Sequence, residues 1–556
     1  STLTIAPSTI TAGGAGTTAT ITAKDAYGNP IPGVLAANIV VASTGTNNTI
    51  TQPSVNTDAN GQTTATISST LVEAKTISVT INATPITQTA ALTITPAVVS
   101  AATSTLAIAP STITAGGTGT TVTITAKDQY SNVIPGIAAA NVVVASTGTN
   151  NTITQPTLVT DSLGQTTATI SSTKTEVKTI SVTINATAIT QTQALTVNPA
   201  VVDYFTVTGI PSPIVAGTPA PAVVVTALDQ YSNVKTDYLG TIVFSSNDTQ
   251  ATLPSNYTFI GGDSGVHTFS VTLKTTGTRS VAVESGIETG QQSGITVNAA
   301  TPATMSFTTQ PSSTATAAVN FVSQPVVTLY DTYNNVCTNS TLGVTLAVYQ
   351  TDGTTPATGT LNGTLSVSAV AGVAATFTGL NYTKAESIIL KATATGPAPV
   401  NSNIIVVATN TPTKLVIITQ PSSTAVAGVN FVQQPVLVVQ DNYNNTITSD
   451  NATQITLSRG ATGTDALQGA TLTLPVIAGI ATFSGLSYNK AETMNILATA
   501  EANTSSGSLK LNIYNVGTYY MDDDKYISVK STNSQVYVGG SGDGWASQES
   551  GNFTLS

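Results

Sequence analysis

A chain of 556 residues with one His, one Cys and one Trp holds little material for most enzyme chemistry. The His is His267, in Ser-Gly-Val-His-Thr-Phe-Ser-Val. A hydrolytic triad needs nucleophile, base and orienting group in one place, and nothing near His267 in the sequence supplies them. Period-two alternation puts His267 on the face of Phe269 and Val271, where a satisfied core or edge histidine is the preferred reading. Cys337 stands alone and can form no disulfide within the chain. An inert thiol is the preferred reading and an interchain disulfide the alternative. Zinc, which takes Cys and His ligands, is excluded. Paired carboxylates for glycoside hydrolysis would have to face each other across a cleft, which small β-sandwiches rarely supply. No enzyme is expected.

Two features offer oxygen chemistry. Asp522, Asp523 and Asp524 form a dense acidic run. Three adjacent carboxylates repel one another unless a cation relieves them, so calcium is the metal expected there. The second feature is Asp-x-Tyr-[Gly/Ser/Asn]-Asn, which occurs five times, at Asp25/Tyr27/Asn29, Asp128/Tyr130/Asn132, Asp229/Tyr231/Asn233, Asp331/Tyr333/Asn335 and Asp441/Tyr443/Asn445. It could lend two oxygen ligands per copy. The preferred reading is a self-satisfied turn, in which Asp accepts backbone N–H groups two residues on and Gly or Asn takes positive φ. The Tyr is expected to pack at a domain end with its hydroxyl on a backbone carbonyl. A Lys–Asn isopeptide staple fails on the residues: Lys24 and Lys127 precede the first two turns, but Leu228, Tyr330 and Gln440 stand in the other three. Thirteen Asn-x-Ser/Thr sequons among 38 Asn are close to what chance gives in so Ser/Thr-rich a chain, so composition does not demand glycosylation.

The elements that position these residues are repeats. STLTIAPSTITAGG at Ser1 returns at Ser104 as STLAIAPSTITAGG, and KTISVTINAT stands at both Lys75 and Lys178. TTQPSSTATAAVNFVSQPVV from Thr308 matches ITQPSSTAVAGVNFVQQPVL from Ile418. A more divergent unit lies between the two pairs. Alternation such as Ile77, Val79, Ile81 among Ser and Thr marks half-buried strands. Turn clusters about every 8–12 residues favour antiparallel sandwiches over parallel sheets, and no window shows a helical stripe. The expected fold is all-β, a tandem array of five Ig-like β-sandwiches over 1–100, 101–201, 202–299, 300–409 and 410–515, with a partial β segment or docking tail over 516–556. Joins are read at Ala97–Thr103, Asn198–Asp203, Asn298–Ala303, Thr409–Thr413 and Asn515–Gly517. Such short joins restrict swivel, and strands of about ten residues would make five units a rod on the order of 200 Å.

Only 8% of residues are charged, with net charge −10. Thr and Ser cover the solvent faces instead, and β-branched Thr suits a pleated surface. The acidic balance excludes a nucleic-acid binder, which needs a basic stripe. No run of 18 apolar residues offers a membrane span. No leader is read, and the chain opens in strand-like sequence at Ser1.

Units of about 100 residues carrying DAYGN, from Asp25, and DANGQTTAT, from Asp58, resemble bacterial Ig-like repeats of the invasin/intimin type. Similar repeats occur in surface-layer proteins, adhesins and surface fibres. The resemblance implies an extracellular, cell-surface structural role, as a surface-layer or filament subunit that self-associates; the alternative is the spacer stalk of an adhesin. Fold alone does not choose between them. Cell-surface glycans are the other partner class that the resemblance implies.

Overall fold

The computed structural model describes residues 1–370, 375–504, 507–510, 514–521, 529–532 and 535–538, with side chains as far as residue 500. The first module sets the pattern. Its strands are β1 (Thr2–Ala6), β2 (Thr9–Thr11), β3 (Thr17–Thr22), β4 (Ile39–Ser43), β5 (Asn48–Thr51), β6 (Gln62–Ser69), β7 (Ala74–Ile81), β8 (Thr84–Pro85) and β9 (Ala90–Thr95). One sheet has the order β1-β3-β6-β5; the other has β2-β9-β7-β4, with β8 beside β7. The pairs are antiparallel except β2 with β9, where Ile10 lies opposite Ile94.

Alternation explains the two faces. In β3, Thr17, Ala19 and Ile21 are buried while Thr18 is exposed. Leu3 and Ile21 pair across the first sheet, Val41 and Val79 across the second, and both sets meet in one core with Ile67, Ile77 and Leu92. A fully buried aliphatic side chain contributes about 1.5–3 kcal/mol. The same period carries one charge inward: Lys75 shares the inner face of β7 with Ile77 and is 0% exposed. Its Nζ donates to Glu73 Oε1 at 2.5 Å and to the Thr46 carbonyl at 2.9 Å. Lys178, Glu176 and Thr149 repeat this in the second module.

By its contacts the chain divides into two compact units, Ser1–Ser212 with Pro219–Thr272 and Thr278–Ile295, and Pro213–Thr218 with Leu273–Gly277 and Thr296–Ser556. The first unit holds the first module, its near copy over Thr105–Asn198 and the third module's sheet of Val202–Thr208, Pro219–Asp229 and Val266–Thr272. The second unit holds the fourth and fifth modules. The fourth opens with a sheet of Thr304–Thr309, Val326–Tyr330 and Ala375–Thr376, and the fifth with Lys414–Thr419, Val436–Gln440 and Ile480–Thr482. The chain is thus a tandem array of Ig-like β-sandwiches. Helix is confined, among the described residues, to three single 3-10 turns, and no helix there is long and apolar enough to cross a membrane.

One boundary differs from the sequence reading. Tyr514–Met521 is a strand of the fifth module, antiparallel to Met494–Thr504 and parallel to Thr424–Ala425. Asn515–Gly517 is therefore not a join. The register shifts between Ile496, opposite Gly517, and Leu497, opposite Asn515. Val516 is the extra residue of a bulge, and a bulge beside Gly imitates a turn signal in sequence. Val529–Thr532 and Gln535–Val538 pair as an antiparallel hairpin.

Candidate functional site: the joint between modules

The recurring Asp-x-Tyr-x-Asn segment lies at a module's end, after the strand that crosses the core. In the second module Asp128 Oδ1 accepts the N–H of Tyr130 and of Asn132, each at 2.9 Å. Oδ2 accepts the Asn132 side-chain amide at 2.8 Å and the N–H of Ala97, in the linker, at 3.0 Å. Asn132 then spans the joint. Its Oδ1 accepts the N–H of Val72 at 3.0 Å, and its Nδ2 donates to the Thr70 carbonyl at 2.8 Å, both in the preceding module. Asp128 is 0% and Asn132 7% exposed.

The same bonds recur at each later joint. Asn233 holds the carbonyl of Thr173 and the N–H of Thr175, while Asp229 takes the linker N–H of Ala200. Asn335 holds Lys274 and Thr276, with Ala300 on Asp331. Asn445 holds Thr383 and Ala385, with Asn410 on Asp441. The first two joints lie in the first compact unit and the other two in the second.

The Tyr supplies the packing. Gly116 takes φ +69°, and a Cβ built there would lie 1.9 Å from the Tyr231 hydroxyl. Gly13 stands in the same way against Tyr130 and Gly217 against Tyr333. The ring of one module thus sits on bare backbone of the module before it, where the sequence reading placed its hydroxyl on a carbonyl. The turn glycine that follows is equally constrained: a Cβ on Gly61, at φ +74°, would lie 2.6 Å from the Ala23 carbonyl oxygen.

The electrostatics follow from the donor set. Burial, the largest influence on Asp229, pushes its carboxyl up. The Asn233 amide and the N–H groups of Ala200, Asn233 and Tyr231 outweigh it, so Asp229 stays below the ordinary aspartate range. Asp331 and Asp441 are lowered by the same balance. Both oxygens of each carboxylate face N–H donors, and a cation would have to displace them. The arrangement is the satisfied turn, extended into a clamp, and it does not form a calcium cradle.

Other sequence candidates fall elsewhere. His267 is half-buried in the third module, with Nδ1 2.8 Å from Asp263 Oδ1 and its ring stacked on Tyr257 at 4.1 Å. Tyr257 donates to the other Asp263 oxygen at 3.0 Å, and Phe269 packs beside the pair. Asp263 also ties down the N–H of Ile260, so the cluster closes a loop and presents no nucleophile. Cys337 is 3% exposed beside the third joint, its Sγ 3.6 Å from the Ala300 carbonyl. Burial, with the charge of Asp331, pushes the thiol up to about 11. Among the described residues no three His, Cys, Asp or Glu gather as a metal would need. Asp522, Asp523 and Asp524 lie outside the described residues.

The glycine seat was not read from sequence. Its signal was present: Ala12-Gly13, Ala115-Gly116, Ala216-Gly217 and Ala427-Gly428 share one place, and the fourth module has Ala318 there, at φ +62°.

Residues 1–95 match the family model for the bacterial Ig-like domain (group 1), and residues 100–200 match that for invasin, domain 3. The first two modules are therefore similar to bacterial Ig-like domains of the invasin type. Among solved structures it is similar to the Escherichia coli adhesin FdeC, at 25% identity over 53% of this chain and 96% of that one, with TM-score 0.35. It is similar to Yersinia pseudotuberculosis InvD at 21% identity over 52% and 95%, TM-score 0.32. It is similar to invasin, a bacterial integrin-binding protein, at 16% identity over 91% and 99%, TM-score 0.30. No curated protein matches the chain.

Proposed function

We propose that this chain is an extracellular structural protein of the cell surface, a surface-layer or surface-filament subunit whose modules act as passive scaffolding and catalyse nothing. The observation that carries this reading is the clamp at each of the four joints, made from the same Asp, Tyr and Asn every time. A buried, fully hydrogen-bonded joint limits swivel between neighbours, which a load-transmitting element needs and a loosely tethered binding domain does not. Self-association into a lattice or fibre, with cell-surface glycans as a further partner class, belongs to this reading. Calcium at Asp522, Asp523 and Asp524 would serve it as a bridge, and titration of the chain with calcium alone tests that site. Imaging of native cell surfaces labelled for this chain tests the whole: a repeating array or filament is expected, and isolated projections would overturn it.

The near identity of the first two modules favours a second reading, the spacer stalk of an adhesin. Projections carrying the label along their length and a separate binding domain at the tip would establish the stalk instead.

A further inference from the structure

Glutamine side chains close two sheet edges of the first module. The outward N–H of Val41, on edge strand β4, donates to Gln52 Oε1 at 2.7 Å, and the Gln52 amide donates to the Val41 carbonyl at 2.8 Å. The side chain bonds that edge as a neighbouring strand would. Gln155 does the same to Val144 in the second module. On edge strand β1, Gln88 Oε1 accepts the Leu3 N–H at 3.1 Å. In the second module Gln191 accepts the Leu106 N–H, and Gln193 donates to the Leu106 carbonyl. Unpaired edges are templates for another chain unless they are covered, and these are covered.

β5 is not. It ends its sheet and pairs with β6 alone. The Thr70 N–H donates to the Asn47 carbonyl at 3.2 Å, in the register that sets Thr49 opposite Ser68. Bonded and non-bonded pairs alternate along an antiparallel ladder. The backbone groups of Thr49 and Thr51 are therefore committed to β6, and the N–H and C=O of Asn48 and Ile50 face outward. Among the described residues no further strand or bridge takes them. The strand is uncharged and free of Pro, and the second module repeats it as Asn-Thr-Ile-Thr over Asn151–Thr154, again at the end of its sheet. Later modules cut the matching strand short. It is a single bridge of Thr252 with Thr272 in the third, and Leu361–Asn362 and Leu467–Gln468 in the fourth and fifth.

We infer that these edges are lateral contacts: β5, or its repeat Asn151–Thr154, pairs antiparallel with the same edge of a second copy of this chain. The mode is strand addition, in which main-chain bonds hold the partner. Register and charge choose the occupant. When Asn48 and Ile50 of one copy exchange bonds with Ile50 and Asn48 of the other, Thr49 comes opposite Thr49, and Thr–Thr pairs stabilise adjacent strands. The edge is complementary to itself. No charged residue stands in any strand of the sheet β1-β3-β6-β5 or of its counterpart in the second module, although the chain carries net charge −10. Two copies meet here without like-charge repulsion, and a strongly charged partner would find nothing to pair with. The contact is isologous, and two such edges on one chain let association pass beyond a pair. The inference rests on the structural-subunit reading and names the surface by which its copies meet.

The test is the mass of the full chain by light scattering and sedimentation over a rising concentration series. Thr49 and Thr152 are exposed, so the single chain tolerates charge there. The double variants Thr49→Glu/Thr152→Glu and Thr49→Lys/Thr152→Lys each set like charges opposite one another in the paired edge. Thr64→Glu/Thr167→Glu adds the same charge at exposed positions away from the edge. Circular dichroism checks every fold. The unaltered chain and the Thr64/Thr167 control are expected to associate, and each edge variant alone to associate about ten-fold or more weakly. An equal mixture of the Glu and Lys edge variants should recover association. A monomer at every concentration, or association that the edge variants leave unchanged, overturns the contact and leaves the structural-subunit reading to the surface imaging. Equal loss in the control traces the effect to net charge and overturns it too. Loss that the mixture does not restore shows that the edges do not face each other.

Discussion

The Tyr231 hydroxyl stands 1.9 Å from where a Cβ on Gly116 would be, so the third module's ring occupies the space of a side chain the second module lacks. Gly116→Ala must therefore displace Tyr231, and it also puts a side chain at φ +69°, at about 1–2 kcal/mol for the backbone alone. Gly136 separates the two costs, because it holds φ +78° with nothing within 4 Å of its Cβ position. Both Ala variants are expected to destabilise the second module by a similar backbone amount. Only Gly116→Ala should also speed hydrogen exchange at the Thr175 amide, which is bonded across the joint to Asn233. Equal exchange in the two variants would show that the seat does not couple the modules.

Asn132 and Asn29 make the same turn, one inside a joint and one in water. Asn132→Ala strips partners from the Val72 N–H and the Thr70 carbonyl and one donor from buried Asp128. Leaving such groups unpaired costs about 1–3 kcal/mol. Asn29→Ala removes a bond that water replaces, and about 0.5 kcal/mol or less is expected. Chemical denaturation of the two variants, followed with hydrogen exchange at Val72, measures the contrast. Equal losses would mean that the Asn serves its own turn and not the joint.

Much of this was legible in the residues. Alternation in stretches such as Lys75–Ile81 gives the strands, and the repeated Asp-x-Tyr-x-Asn gives the turn, because each depends on local spacing. The joint was not legible. Thr70, Thr173, Lys274 and Thr383 offer Asn only their carbonyls, and Val72, Thr175, Thr276 and Ala385 only their N–H groups, so the partner side needs no fixed side-chain type. A motif therefore shows on one side of the joint alone. Lys75 was hidden for another reason: alternation assigns it to the inner face, but only the fold brings Glu73 and Thr46 to its ammonium.

Acid should loosen the joints. Asp229, Asp331 and Asp441 have folded-state pKa values below the reference of 3.8. A depressed carboxyl contributes stability that is fully present above its unfolded pKa and is lost as pH falls through the folded value. These groups should therefore add no slope between about pH 7 and pH 5, and stability should fall below about pH 4 as the protonated carboxyls lose acceptor capacity for the linker N–H groups. Thermal melts across this range check the sign. Asp331→Asn should lower the plateau and flatten the acid slope; an unchanged slope in each of the three Asp→Asn variants would place the acid sensitivity elsewhere.

Cys337 reports on the third joint without altering it. Its thiol is 3% exposed and pushed up to about 11, first by burial and then by the charge of Asp331. The thiolate is the reactive species, so the folded chain should resist an alkylating reagent at pH 7–8, with labelling at least about 100-fold slower than for a free thiol. Asn335→Ala breaks the bonds to Lys274 and Thr276 two residues away, and opening of that joint should raise the labelling rate while the fourth module stays folded. Mass spectrometry of timed alkylation in both proteins reads the result. Rapid labelling of the unaltered chain would contradict the burial, and equal slow rates in both would show that the joint does not control access to the thiol. An interchain disulfide through Cys337 requires that same access, so non-reducing gels of the two proteins should show dimer, if at all, only in Asn335→Ala.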